Sequence, residues 1–198
     1  MMVFSLGLTG SIGMGKSTTA ALFKEAGCAV WDADAAVHAL YAKGGAAVTP
    51  IGDAFPEVTA AGFVDRDILK ELISLNKSVL KVLEDIVHPL VQADRQRFRI
   101  AAEADILVFD IPLLFETGSQ AEMDAVACVF VSPEMQRQRV LARGTMTEPQ
   151  FEQILAKQMP IEEKLARSDF RIETDTMEHA RAQVTAVVED IKRRMAHA

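Results

Sequence analysis

Residues Gly10-Ser11-Ile12-Gly13-Met14-Gly15-Lys16-Ser17 spell G-x-x-x-x-G-K-S, and no other stretch restricts the fold as strongly. The glycines let the backbone curl so that successive N–H groups point inward at an anion. A helix must open directly after the curl, because its positive N-terminal end adds to the cradle. A buried strand must come before it to hold the curl in place. Gly10, Ser11, Ile12, Gly13, Met14, Gly15, Lys16, Ser17 and Thr18 therefore form a candidate triphosphate cradle. In this cradle Lys16 reaches the β and γ phosphates and Ser17 offers a hydroxyl to Mg²⁺. The competing reading is a glycine-rich turn with a solvated lysine, and the surrounding sequence argues against it. Val3 to Thr9 reads as a short buried strand and about Ser17 to Ala26 as a helix, with Gly27 as its stop.

The rest of the chain alternates in the same way. Ala29-Val30-Trp31 reads as a second strand. Ile106 to Phe109 and Val126 to Val131 are continuous apolar runs, typical of strands covered on both faces of a parallel sheet. Ser132-Pro133-Glu134 is a helix start, N-cap then proline, with the helix running to about Arg143. Helices are expected over Thr147–Lys157 and Thr176–Met195, and a last strand over Asp169–Ile172. Between about Ala35 and Ala102 the apolar spacing is helical throughout (Ile68, Leu72, Ile73; Val79, Leu80, Leu83, Ile86, Val87). The expectation is an α/β fold, a parallel sheet with helices on both faces and a mostly helical insertion.

Composition narrows the function classes. The 198 residues are 49% hydrophobic and 25% charged, an ordinary globular balance that argues against disorder. The net charge of −7 argues against a DNA or RNA duplex as partner, which would call for a basic surface. One anionic ligand in a local basic pocket remains compatible with it. Cys28 and Cys128 sit beside apolar runs and read as buried free thiols. No C-x-x-C or other metal-ligand spacing occurs. With no signal peptide and no apolar run near ~18 residues, a cytoplasmic location without a membrane span is expected.

Several further residues carry possible chemistry. Asp110 ends the apolar run 106–109, where a carboxylate can face Mg²⁺ or its water shell, although acidic strand ends are common. Asp32 and Asp34 follow the second strand, on the side where parallel strands present ligands. One is expected to face an acceptor and the other to cap a helix. Arg139 and Arg143 are four apart and share a helix face with Arg137 nearby. Phosphoryl transfer needs such added charge, and Arg143 at the helix exit is the candidate; a solvated basic face is the alternative. His88-Pro89 either kinks a helix or begins one, and a lone histidine is more often a packing residue.

Taken together, the separated pieces resemble one family. Leu6 to Gly10 runs into the cradle, and Val30-Trp31-Asp32-Ala33-Asp34 follows the first helix. Leu83 to Pro89 precedes a strand, and Asp110-Ile111-Pro112-Leu113-Leu114-Phe115-Glu116 follows it. Ser132 to Arg143 and Gln153 to Met159 complete the set. In that order, over nearly the whole chain, they resemble the dephospho-CoA kinases. The resemblance implies ATP-dependent phosphorylation of the ribose 3′-hydroxyl of dephospho-coenzyme A, with Mg²⁺ accompanying ATP. It implies a P-loop nucleoside-kinase-like core over 1–34 and 103–198, a lid at about 137–168, and a helical acceptor domain over 35–102. Carried over, Lys16, Asp34 and Arg143 are catalytic, with Asp34 the base on the acceptor hydroxyl. His88, Pro112, Leu113, Leu114 and Phe115 are acceptor-side, and Ser17 and Asp110 metal-side. The partners are ATP and dephospho-CoA, and a monomer is expected.

Three departures stand out: Ser11 and Met14 in the cradle, where the family often has glycine and serine, and Thr174, where it usually has asparagine. Two rival readings remain. A nucleoside monophosphate kinase would call for several arginines around an acceptor phosphate, and residues 35–65 contain none. A P-loop switch protein would carry Asn-Lys-x-Asp, and Asn76-Lys77-Ser78-Val79 fails at the last position.

Overall fold

A computed structural model describes residues 3–197. It divides into two compact units: one comprises the chain up to Trp31 and from Ala102 onward, the other Asp32–Ala101.

The first unit carries a five-stranded sheet in the order β2-β3-β1-β4-β5. The strands are β1 (Phe4–Gly10), β2 (Ala29–Asp32), β3 (Ile106–Asp110), β4 (Ala125–Phe130) and β5 (Phe170–Glu173). β1 pairs in parallel with both β3 and β4, and β4 with β5. The register sets Leu6 between Val108 and Ala125, and Leu8 between Asp110 and Ala127. Two helices pack with this sheet, α1 (Lys16–Glu25) and α9 (Met177–Ala196). Leu6, Leu8, Val108 and Val129 form one core with Phe23 of α1 and with Val184, Val188 and Ile191 of α9. On the α9 stripe these residues recur every three to four positions, which is why that helix buries one face only. At Gly7 a Cβ would stand 2.8 Å from Leu114 Cδ2. The missing side chain thus seats the segment that follows β3 against β1.

Gly27 takes φ 89 and ends the turn after α1, as expected of a residue able to enter the left-handed region. Ser132 caps α6 (Pro133–Ala142), its hydroxyl accepting from Met135 N–H at 3.3 Å. Two short helices, α7 (Glu148–Leu155) and α8 (Ile161–Ala166), precede β5. α8 has no expected counterpart: six residues are too few for a periodic stripe.

The second unit is helical after Asp32, the last residue of β2, and contains no further strand among the described residues. It comprises α2 (Ala33–Tyr41), α3 (Val48–Ala54), α4 (Arg66–Leu75) and α5 (Ser78–Ala101). Leu40, Ile51, Val58, Leu69, Val79, Leu83 and Val87 form its own core. The helix runs through Pro89 without ending. Proline lacks the N–H that would bond the carbonyl four residues back, so the Asp85 carbonyl is left outside the helical ladder. Val79, Leu83 and Val87 hold the buried face at intervals of four, and that burial outweighs one missing bond.

Candidate active site

The curl between β1 and α1 depends on two left-handed glycines, Gly13 (φ 78) and Gly15 (φ 85). Side chains are doubly excluded there: a Cβ on Gly13 would lie 2.4 Å from Val140 Cγ2, and one on Gly15 3.0 Å from Thr174 Oγ1. The helix then starts cleanly, with Thr19 N–H bonding Gly15 O at 3.0 Å. Ser17 and Thr18 are exposed at its first turn. Met14 is 1% exposed and belongs to the sheet core. Its side chain therefore points away from the anion face, and the departure from the family pattern costs the cradle nothing. The Ser11 hydroxyl is buried and unpartnered.

Lys16 Nζ is ion-paired to Asp110 Oδ1, with side-chain exposures of 15% and 1%. β3 lies next to β1, so the last residue of β3 meets the first residue of α1. The expected metal-side carboxylate is thus found holding the cradle lysine.

Four side chains brace the cradle from outside, a role that no local pattern signals for any of them. Gln136 of α6 donates Nε2–H to Ile12 O at 2.7 Å, and Gln158 accepts from Ile12 N–H at 3.1 Å. Thr174 donates its hydroxyl to Met14 O at 2.8 Å and accepts from Arg139 Nη1 at 3.1 Å. Arg139 also donates to the Thr174 carbonyl at 2.6 Å. Of the two arginines sharing a face of α6, Arg139 is therefore committed to positioning Thr174. Arg143, the α6 C-cap, is exposed and makes no ion pair among the described residues. It lines a cleft of about 180 Å³ together with Gly13, Gly15, Thr18, Thr174 and Met177. Arg137 pairs with Glu148 instead.

The segment after β3 is anchored from two sides. Pro112 O accepts from Thr9 Oγ1 at 3.1 Å and from Lys164 Nζ at 3.1 Å. Lys164 is fully buried and pairs with Glu116 at 2.9 Å, and Glu116 also accepts from Met159 N–H at 2.8 Å. Leu114 and Phe115 are buried and Leu113 is 42% exposed. Burial pushes the Glu116 carboxyl up, but the Met159 amide and the Lys164 ammonium outweigh it and hold the group below its usual range. Its contribution to stability is then complete above the ordinary carboxylate pKa and is lost as pH falls through the folded value. Glu116→Gln should destabilise the protein by about 3 kcal/mol at neutral pH, by leaving Lys164 without its counter-charge. In thermal unfolding followed from pH 7 downward, the gap to wild type should close below about pH 4. A gap independent of pH would show that the pair contributes by packing alone.

In the helical unit, Asp32 caps α2, its Oδ1 accepting from Ala35 N–H at 2.9 Å. The Asp34 side chain, in the first turn, is exposed and makes no hydrogen bond among the described residues. His88 is exposed on α5 rather than packed in the core. Cys28 and Cys128 are buried free thiols, each pushed up to about 11 by burial, so neither supplies a thiolate nucleophile near neutral pH.

A family model described as dephospho-CoA kinase matches residues 4–179. This chain belongs to the dephospho-CoA kinase family. The dephospho-CoA kinase of Ruegeria pomeroyi is 64% identical over 197 residues, covering 100% of both chains. A solved structure from Thermus thermophilus superposes with a TM-score of 0.86 at 31% identity, covering 96% of this chain and 98% of that one. The dephospho-CoA kinase of Campylobacter jejuni gives 0.69 at 25% identity, covering 96% and 97%. Within the family frame Thr174 is informative: its hydroxyl is spent between Met14 and Arg139. No helix among the described residues is long and apolar enough to cross a membrane.

Proposed function

We propose that this chain transfers the γ-phosphoryl group of ATP to the ribose 3′-hydroxyl of dephospho-coenzyme A, giving coenzyme A and ADP. The observation that carries the reading is the complete P-loop, with its lysine paired to Asp110, in a chain that matches the family along nearly its whole length.

Roles follow from chemistry. The backbone N–H groups of Gly10–Thr18 hold the triphosphate, and Lys16 neutralises the β and γ phosphates. A nucleotide-associated metal is part of such a site, and Mg²⁺ is the ion proposed. The donors fit it: the Ser17 hydroxyl is an exposed hard oxygen ligand, and the Asp110 carboxylate, buried and paired with Lys16, would serve the ion or its water shell, since Mg²⁺ usually takes one or two ligands from protein and the rest from water and phosphate. When bound, the ion neutralises charge on the phosphate oxygens. Asp34 orients the acceptor hydroxyl and takes its proton as the new O–P bond forms. His88 and the Pro112–Phe115 segment bind the acceptor, and Arg143 meets charge on the migrating group as a lid residue.

The test is ADP release with dephospho-CoA, AMP, CMP and water offered as competing acceptors. Dephospho-CoA should dominate; turnover on AMP or CMP at equal rate would point to a nucleotide kinase, and turnover with water alone to a switch ATPase. Arg143→Ala should lower kcat by about 10²-fold while leaving KM for ATP within a few-fold, because the guanidinium engages mainly as charge redistributes. A raised ATP KM at unchanged kcat would make Arg143 a ground-state clamp.

A further inference from the structure

The stretch 153–159 is one of the pieces that carry the family resemblance, yet none of the roles above uses it. Its last two residues touch both halves of the site. Gln158 and Met159 lie in the connection between α7, which ends at Leu155, and α8, which begins at Ile161. The Gln158 side chain accepts from Ile12 N–H in the cradle at 3.1 Å. The next peptide N–H, that of Met159, donates to Glu116 at the end of the segment after β3, at 2.8 Å. One dipeptide thus joins the triphosphate cradle to the acceptor-side segment.

Both ends of this link are held. Ile12 lies in the glycine-bounded part of the curl, between Gly10 and the left-handed Gly13, where the backbone has most freedom of its own. Gln136 takes its carbonyl at 2.7 Å while Gln158 takes its N–H, so neither polar group of Ile12 is loose. At the other end the buried Lys164 reaches Pro112 O at 3.1 Å and Glu116 at 2.9 Å, and so clamps the segment 112–116 at its two ends. The connection itself is seated on both helices. Gln158 N–H bonds Leu155 O at 3.1 Å, and Lys164 N–H bonds Pro160 O at 3.1 Å.

In-line transfer requires the two reacting oxygens at a set separation, and a misplacement of about 1 Å can cost ~10²-fold in rate. A contact that joins the two binding elements fixes that separation. We infer that Gln158 is a positioning residue for the transfer: it holds the cradle in register with the segment 112–116, so that the γ-phosphoryl group and the acceptor hydroxyl meet. The inference rests on Pro112–Phe115 binding the acceptor. Loss of the link has a specific consequence, because both substrates still bind but water competes for the misaligned phosphoryl group. A water oxygen then bonds to the γ-phosphorus, the bond from that phosphorus to the ADP oxygen breaks, and inorganic phosphate and a proton leave with ADP.

The experiment counts ADP and phosphorylated acceptor in the same reaction for wild type, Gln158→Leu, Gln158→Glu and Gln136→Leu. Gln158→Leu should lower kcat at least about tenfold, with KM for ATP and for dephospho-CoA within about threefold, and should release ADP in at least about twofold excess over product. Gln158→Glu keeps an acceptor oxygen for Ile12 N–H and should return the ratio to that of wild type. Gln136→Leu loosens the same Ile12 but breaks no contact to Glu116, so its ratio should also be that of wild type, whatever its rate. The ratio counts only molecules that turn over, so a loss of folded protein does not move it. An unchanged ratio in Gln158→Leu, or an equal excess of ADP in Gln136→Leu, overturns the inference. An unchanged KM for dephospho-CoA in Leu113→Asp takes the acceptor away from the segment, and the inference falls with it. A wild type that forms no product from dephospho-CoA removes the functional reading itself, a result separate from any behaviour of the variants.

Discussion

Asp34→Asn should lower kcat by at least about a hundredfold while the KM for ATP stays near that of wild type. A ribose hydroxyl is a weak nucleophile at neutral pH, and a placed carboxylate that accepts its proton is worth ~10²–10⁴ in rate. In a loose transition state part of that value is orientation, and asparagine retains only a share of it. ATP binding is spared because the triphosphate is held by backbone amides and Lys16. The neighbouring carboxylate is the internal control. Asp32 spends Oδ1 on the α2 cap, and asparagine caps as well as aspartate does, so Asp32→Asn should be nearly silent. Asp34 has no such structural duty among the described residues, so Asp34→Asn should leave the unfolding midpoint unchanged. An inactive Asp32→Asn beside an active Asp34→Asn would place the base on the other carboxylate.

Lys16→Ala should lower turnover on the order of a thousandfold, through loss of the charge facing the β and γ phosphates. From the motif alone, a lysine at a solvent-filled site could be removed with the fold intact. The structure changes that expectation. Lys16 is paired with a carboxylate that is only 1% exposed, so its loss takes a counter-charge from the buried end of β3. Breaking such a pair costs about 3 kcal/mol, and the midpoint of thermal unfolding should fall accordingly. Lys16→Arg separates the two effects. It keeps a cation against Asp110 and should keep stability, yet its planar fork cannot take the place of a compact ammonium, so turnover should still collapse. Near-wild-type activity in Lys16→Ala would falsify the P-loop reading; normal stability would show that the pair with Asp110 carries no folding energy.

Much of the fold was legible because it follows from short-range rules. A strand, two left-handed glycines and a helix must follow one another at residues 4–25, since no other local path makes the curl. Continuous apolar runs announced β3 and β4, and Ser132-Pro133 announced α6 through the chemistry of a cap. Boundaries moved by one or two residues, as they do where helix ends fray. α3 and α8 escaped because seven and six residues are too few to show a period. At Pro89 local sequence allowed a break, and the buried face before it, with Leu90 and Val91 packed against the same core after it, kept the helix whole.

Side-chain partnerships were a different matter. Sequence alone determined that backbone N–H groups converge after β1, that a lysine follows them, and that Asp32 or Asp34 would cap α2, because those relations span four residues or fewer. That Lys16 meets Asp110, that Gln136 and Gln158 grip the two polar groups of Ile12, and that Lys164 is buried against Glu116 and Pro112 was decided by tertiary structure. These partners lie 94, 124, 146 and 52 residues from Lys16, Ile12, Ile12 and Pro112 respectively. No periodicity or cap reaches that far. Such pairs exist because the strand order β3-β1-β4 sets distant strand ends side by side, where a buried polar group must find whichever partner the sheet brings to it.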